Sequence, residues 1–256
     1  MSRTRVAALA FCTFVAAVAA LPPHQARPQS AGKPFQRVNV TRPPALNDPS
    51  FTAFRENLAA VAKGRVFEEL ARNVVTRGFF WDRDFADNFD DKKTGAENLA
   101  AAVRLEQESG TGWQMLAEFA ADPTATEIPT APGVLCAPGR PSFAQDDFDR
   151  LVEATHSTAA DWVFPRREGV ELRQAPRPAG TLVETLGSYF VRMIRFDVVG
   201  SIGDPLRISW ARVAAPSGKA GFAPPDSLLS LSAPQLCYVK DVTGRWRITG
   251  FIGGGN

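Results

Sequence analysis

Histidine, cysteine and tyrosine are scarce in this chain of 256 residues, and their scarcity excludes several kinds of active site. The two histidines, His24 and His156, are too few for an HExxH pair or another histidine-rich zinc site. The sequence also has no G-x-S-x-G nucleophile elbow, no P-loop and no G-x-G-x-x-G turn. We therefore expect no catalytic residue, no metal and no cofactor.

An excess of charge of one sign is also lacking. The chain has 29 basic and 27 acidic residues, a formal net charge of +2. Arg3 and Arg5 belong to an N-terminal segment that we expect to be removed, and without them the chain is formally neutral. Nucleic-acid-binding proteins carry a basic patch or stripe. We therefore expect no nucleic-acid partner.

A long apolar run occurs only at the N-terminus. Arg3 and Arg5 precede the Ala-rich stretch 6–20, which ends in small residues suited to signal peptidase. The stretch of about fifteen residues is shorter than the roughly 20 that span a bilayer. The pattern predicts a signal peptide over residues 1–20 and a periplasmic or secreted bacterial protein without a membrane span. An uncleaved anchor is the alternative.

Only two cysteines, Cys136 and Cys237, remain after such cleavage, because Cys12 lies inside the leader. An oxidising compartment then favours a single Cys136–Cys237 disulfide. Two buried free thiols are the alternative. A Cys–His hydrolase would instead require His156 beside one of these cysteines.

The first half of the mature chain divides into a proline-rich linker over residues 21–48, extended or disordered, and a mostly helical domain over 49–156. The acidic loop of this helical domain, Asp82 to Lys93, follows a short aromatic run. Carboxylates at this spacing suggest either a calcium site or a small enzyme pocket around Trp81, Asp82 and Asp84. A solvated acidic loop is the alternative.

The second half, residues 157–256, consists of short β-rich runs separated by glycine and proline. The sharpest is the terminal hairpin 236–252, in which alternation places Trp246, Ile248 and Ile252 on one face. The same alternation places Phe251 on the other face. Many short strands of this kind predict a small β-barrel, and the whole chain is then α+β.

Part of this half resembles a bacterial SH3-type domain. The resemblance rests on Val170-Glu171-Leu172-Arg173-Gln174-Ala175-Pro176, on Trp210-Ala211-Arg212-Val213, and on Ser217-Gly218-Lys219-Ala220-Gly221-Phe222-Ala223. The front half also resembles the helical part of exported bacterial proteins that carry such a domain. The resemblance implies an SH3-like barrel with candidate ligand contacts at Tyr189, Arg192, Trp210 and Phe222.

These observations favour a non-catalytic envelope protein. We expect its barrel to bind a peptide, a cell-wall fragment or a protein partner. One alternative is a small hydrolase or ligand-binding enzyme that uses the acidic loop at Trp81, Asp82 and Asp84. Another is a structural or stress-related envelope protein.

Overall fold

Helices and strands both occur, and the fold is α+β as predicted. The computed structural model describes residues 33–107, 109–199 and 208–254, so the predicted signal peptide lies outside it. Five α-helices lie within these ranges: α1 (Pro49–Gly64), α2 (Phe67–Ala71), α3 (Gly95–Ala102), α4 (Thr111–Ala121) and α5 (Gln145–Ala154). None of these described helices is long and apolar enough to cross a membrane.

Two sheets contain the strands. The strands are β1 (Phe80–Asp82), β2 (Thr126–Glu127), β3 (Leu135–Ala137), β4 (Trp162–Pro165), β5 (Val170–Arg173), β6 (Leu182–Leu186), β7 (Val191–Val199), β8 (Ile208–Ala214), β9 (Ala220–Ala223), β10 (Leu228–Ser230), β11 (Gln235–Lys240) and β12 (Trp246–Ile252). The first sheet has the order β1-β12-β11-β3-β2, and the second has the order β10-β4-β7-β8-β9-β5-β6.

The terminal hairpin, β11 and β12, belongs to the first sheet, although the sequence predicts it as part of the barrel. β12 pairs in parallel with β1, and β11 pairs with β3. The hairpin joins this sheet because its apolar side chains complete the core of the helical half. Trp246, Ile248 and Phe251 are buried in one cluster with side chains of α1, α3 and α4. The hairpin supplies the sheet on which these helices pack.

A bulge in β12 changes the predicted facing of its side chains. Tyr238 lies opposite Ile248 and Cys237 opposite Gly250, so Thr249 is the extra residue. One extra residue reverses the alternation beyond it. Phe251 therefore joins Trp246 and Ile248 in the helical core, whereas Ile252 packs beside the cysteines on the other face.

The second sheet is open in the described residues, with β10 at one edge and β6 at the other. No closed barrel is found there, so the predicted barrel is not confirmed. The described strands form a linear antiparallel series, in which closure would require pairing between the two edge strands. The seven strands cover a core of their own, which includes Val170, Leu172, Val191 and Val213.

The start of α1 is fastened to the terminal hairpin. Asp48 caps the helix by accepting hydrogen bonds from the backbone N–H groups of Ser50 (2.8 Å) and Phe51 (3.2 Å). The same carboxylate accepts a hydrogen bond from Lys240 Nζ at 2.8 Å, and Trp246 Nε1 donates to Ser50 Oγ at 3.0 Å. Lys240 and the Ser50 hydroxyl hold the pKa of Asp48 well below its usual range.

The residues before α1 form a packed strap, which we define as residues 33–48. The sequence predicts this part of the linker as extended or disordered. The backbone is extended, but Val38 and Val40 are buried, and the Val38 carbonyl accepts a hydrogen bond from Phe190 N at 3.1 Å. Apolar side chains explain the difference, because Val38 and Val40 share a core with Phe148 of α5 and Trp162 of β4.

The predicted disulfide between Cys136 and Cys237 is confirmed. The two residues lie directly opposite each other on β3 and β11, with their Cα atoms 4.0 Å apart, and both are fully buried. Their sequence separation is 101 residues. A loop of this length corresponds to on the order of 5 kcal/mol of stabilisation in the chain-entropy model. Both described cysteines are thus used in the bond, which leaves no thiol there for a Cys–His hydrolase.

One buried hydroxyl in the helical core lacks a partner. The Tyr238 ring packs edge-on against Phe51 and Phe54, at centroid distances of 5.2 and 5.7 Å. Its hydroxyl makes no hydrogen bond with any described residue. Burial raises the pKa of Tyr238 far above its usual range, so the phenol stays neutral.

Replacing this tyrosine should therefore stabilise the fold. An unsatisfied buried hydroxyl costs about 1–3 kcal/mol, so Tyr238→Phe is expected to raise the free energy of unfolding by about 1 kcal/mol. The matched control is Tyr189→Phe, which removes a hydroxyl that donates to Glu184 at 3.2 Å and should lower stability by about 1 kcal/mol. Urea unfolding of both variants measures the difference. Equal destabilisation of the two would show that Tyr238 has a partner.

Candidate binding cleft

A cleft of about 790 Å³ lies between the end of α4 and the second sheet. This volume falls in the range of ligand sites, which is roughly 300–1,000 Å³. Four parts of the chain meet around it: the strap, the α4–β3 region, the β4–β5 turn and the region around β10. The lining residues whose chemistry matters are Arg42, Pro43, Glu118, Asp122, Pro123, Phe164, Arg166, Arg167, Pro225, Asp226 and Leu229.

Much of the cleft surface is apolar. Pro43, Pro123 and Pro225 contribute rigid rings that have no backbone N–H to satisfy. Phe164 of β4 is almost wholly buried and Leu229 of β10 is partly exposed. The two strands are neighbours, with Leu229 directly opposite Phe164. Such a surface can accept an apolar chain without leaving polar backbone groups unpaired.

The β4–β5 turn, residues 166–169, is joined to the helical half by an ion pair. Arg166 Nη1 lies 2.8 Å from Asp122 Oδ2, and the Arg166 backbone N–H donates to the Ser227 carbonyl at 2.9 Å. Asp122 follows the last residue of α4 and also accepts hydrogen bonds from Thr124, at 2.9 Å from its backbone nitrogen and 2.6 Å from its hydroxyl. The Asp122 carboxylate is thus fixed before it meets Arg166.

The strap contacts the same turn through a more exposed ion pair, in which the Glu168 side chain is 84% exposed. Arg42 Nη2 lies 3.3 Å from Glu168 Oε1, and Arg42 Nη1 donates to Ser188 Oγ at 2.8 Å. The residue between the two paired positions is Arg167, which is exposed and lines the cleft. Its side chain makes no hydrogen bond or ion pair with any residue that the structure describes. The turn therefore presents one unneutralised guanidinium to the cleft.

Two acidic side chains without a cationic partner among the described residues also line the cleft. Glu118 of α4 accepts a hydrogen bond from Gln114 at 3.1 Å, and Asp226 is exposed in the turn before β10. Together with Asp122 they give the cleft a mixed polarity. A ligand with several negative charges would be repelled by these carboxylates. The arrangement suits a ligand with one negative charge.

The predicted acidic site lies elsewhere and forms no comparable cavity wall. Trp81 and Asp82 belong to β1, and Trp81 Nε1 donates to the Asp84 carbonyl at 2.9 Å. Arg83, Asp84 and Phe85 all have positive φ angles, which is unusual for three consecutive residues with side chains. None of these residues lines the cleft. Within the described ranges no group of three or more His, Cys, Asp and Glu side chains could hold a metal ion.

Arg83 of the same loop has a partly buried guanidinium. One of its terminal nitrogens, Nη2, is buried without a hydrogen-bond partner among the described residues. Burial, and then the neighbouring Arg140, lower the pKa of Arg83. The guanidinium lies close to Asp82 and Asp84 and accounts for part of the charge balance of the acidic loop.

The four contacts implied by the SH3-type resemblance do not form an open face. Tyr189, Trp210 and Phe222 are only 3–5% exposed. The Tyr189 ring is covered by the guanidinium of Arg37 at 4.6 Å, and Arg192 is half-buried on β7 between β4 and β8. These aromatic side chains serve the core, so their binding role remains a prediction that their burial does not support.

The sequence gives only a weak signal for the cleft residues. Arg42, Asp122 and Arg167 are charged residues in separate segments, and nothing in their local pattern places them together. The one usable signal is the pair Arg166-Arg167 immediately after the proline that ends β4. Comparison of the chain with protein families, curated proteins and solved structures finds no match.

The Arg166–Asp122 pair should contribute measurably to stability. Asp122 is only 11% exposed and Arg166 is 38% exposed, so the pair is less screened by solvent than a surface pair. A double-mutant cycle with Arg166→Met and Asp122→Asn is expected to give a coupling energy of about 1 kcal/mol in urea unfolding. The control pair, Arg150–Asp147 on α5, is 60% and 40% exposed and should give about 0.3 kcal/mol. Equal coupling energies would contradict the fastened turn.

Proposed function

We propose that this protein is an exported, non-catalytic envelope protein that binds an extended peptide segment of a partner in the cleft. The observation that carries the proposal is the cleft itself. It combines an apolar wall of Leu229 and three prolines with a turn that is fastened to α4 at Arg166. A wall that is fixed before the ligand arrives loses little conformational freedom on binding.

Export is supported by the disulfide and by the N-terminal pattern. Disulfides form and persist in oxidising compartments such as the bacterial periplasm, and Cys136–Cys237 is buried within the first sheet. The apolar stretch at residues 6–20 has the composition of a cleaved leader. Both observations favour a periplasmic or secreted protein.

An SH3-type second half remains part of the proposal. Its motif segments all lie in the second sheet, where β8, β9 and β5 are consecutive neighbours. Residues 215–219 make the turn between β8 and β9, Gly221 lies opposite Val213, and a short 3₁₀ turn at Pro225–Ser227 precedes Leu228. This arrangement supports the resemblance, with the cleft, rather than the buried aromatic residues, as the place of binding.

The enzyme alternative has one observation in its favour. Consecutive residues with positive φ angles, such as Arg83 to Phe85, occur at functional sites in which backbone strain is maintained by surrounding contacts. However, Asp82 and Asp84 do not line the cleft. The binding function therefore has the stronger support. We see no specific contact that favours a purely structural or stress-related role.

Filling the cleft should abolish binding. Ala121 is the last residue of α4, is exposed and lines the cleft, so Ala121→Trp is expected to occupy the space without disturbing the core. The matched control is Ala154→Trp, at the exposed last residue of α5. Peptides selected from a random dodecapeptide display library on the unmodified protein should bind Ala121→Trp at least tenfold more weakly and Ala154→Trp unchanged. Equal binding by both variants would refute the cleft as the site.

Removal of the leader is tested separately. The protein produced in a bacterial host with its own N-terminus should be recovered from the periplasm or medium, beginning near Leu21, because signal peptidase cuts after small residues such as Ala20. N-terminal sequencing and intact mass measure the start. A protein that still begins at Met1 would contradict export by this route.

A further inference from the structure

We propose that Arg167 selects the ligand, and that the cleft binds peptides carrying a single acidic side chain flanked by apolar residues. This inference rests on the proposed function and names the chemistry of its ligand. The cleft contains three arginines, but two of them are already neutralised: Arg166 by Asp122 and Arg42 by Glu168. Of the three, only Arg167 has no partner among the described residues.

The position of Arg167 is set by the residue before it in the chain. Arg166 is held to α4 by Asp122, and its backbone N–H is hydrogen-bonded to the Ser227 carbonyl. The backbone that leads into Arg167 is therefore fixed. A guanidinium on such a turn pays less entropy when it forms a hydrogen-bonded pair with a ligand. The planar fork of arginine matches a carboxylate through two parallel hydrogen bonds. The turn therefore offers a preorganised site for one carboxylate.

The surrounding charges argue for a monovalent group. Glu118 and Asp226 line the same cleft without a cationic partner among the described residues, and they would repel phosphate groups or a strongly acidic chain. Tight phosphate sites need several converging donors, whereas this cleft offers one unneutralised cation. A single Asp or Glu side chain, or a terminal carboxylate, can pair with Arg167 while bringing only one negative charge into the cleft.

The apolar wall specifies what lies next to the carboxylate. Leu229 and the rings of Pro43, Pro123 and Pro225 line the cleft together with the charged turn. Apolar side chains on both sides of the acidic residue would bury surface against this wall, which favours binding. An extended peptide provides both features, whereas a sugar chain provides few apolar groups. The observations therefore favour a protein segment over a glycan strand.

The experiment is a charge reversal read out by peptide selection. Random dodecapeptides displayed on phage are selected on the purified protein and on two variants, Arg167→Glu and Arg177→Glu. Arg177 is the matched control because it is exposed in the β5–β6 turn and does not line the cleft. The unmodified protein and Arg177→Glu should enrich Asp and Glu at one position at least threefold over the starting library. Arg167→Glu should enrich Lys and Arg there instead.

A single selected peptide then measures how much the contact with Arg167 contributes to binding. For the most enriched sequence, replacing its acidic residue by the corresponding amide should weaken binding about tenfold to the unmodified protein and less than twofold to Arg167→Met. This difference isolates the contact with Arg167. Inorganic phosphate at the concentration of the peptide should not displace it, and displacement would overturn the inference in favour of a multiply charged anion.

The outcomes separate the inference from the function on which it rests. If selected peptides bind the Ala154→Trp control but not Ala121→Trp, and yet show no acidic preference, the cleft is a peptide site and the role of Arg167 is wrong. If Arg167→Glu leaves the acidic preference unchanged, the role of Arg167 is likewise wrong. If binding is insensitive to Ala121→Trp, or if the protein is retained only on purified peptidoglycan, both proposals fail.

Discussion

The helical half of this protein depends on the last strands of the chain. β11 and β12 are inner strands of the first sheet, and β1 has β12 as its neighbour there. Side chains of both strands, among them Tyr238 and Ile248, complete the core formed by Phe51, Leu58 and Leu99 on the helices. The disulfide, the Lys240–Asp48 contact and the hydrogen bond from Trp246 to Ser50 all secure this return of the chain. Each joins the terminal hairpin to a residue far away in sequence.

Local features of the fold could be read from the sequence, because they depend on neighbouring residues. Asp48-Pro49 marks the start of α1 through its cap and its preset φ angle. Gly244 adopts a positive φ in the turn of the terminal hairpin that the sequence predicts over 236–252. The disulfide was also accessible, since only one pairing exists outside the leader. The place of the terminal hairpin in the first sheet could not be predicted, because the sequence of a strand does not show which distant strand it pairs with.

The candidate site was less predictable than the fold. Aromatic residues such as Trp210 and Phe222 look the same in sequence whether they fill a core or line a groove, and here they are buried. The cleft is instead built by charged and proline residues from four segments. Its ion pairs join residues 44 and 126 positions apart. Apolar residues that repeat every two or 3.6 positions indicate which face of a strand or helix is buried. They do not indicate which turns lie next to each other in the folded protein.

The parallel pairing of β1 with β12 also governs the order in which the chain can fold. Phe80 lies opposite Gly250, so the helices of the first half are synthesised long before the strand that completes their core. Pairings so distant in sequence form late, because the intervening chain must be ordered first. α1 and α4 can pack on each other earlier, but the part of their core that β11 and β12 complete stays uncovered until these strands have been made. Under the proposed export, this delay would keep the chain incompletely folded while it crosses the membrane.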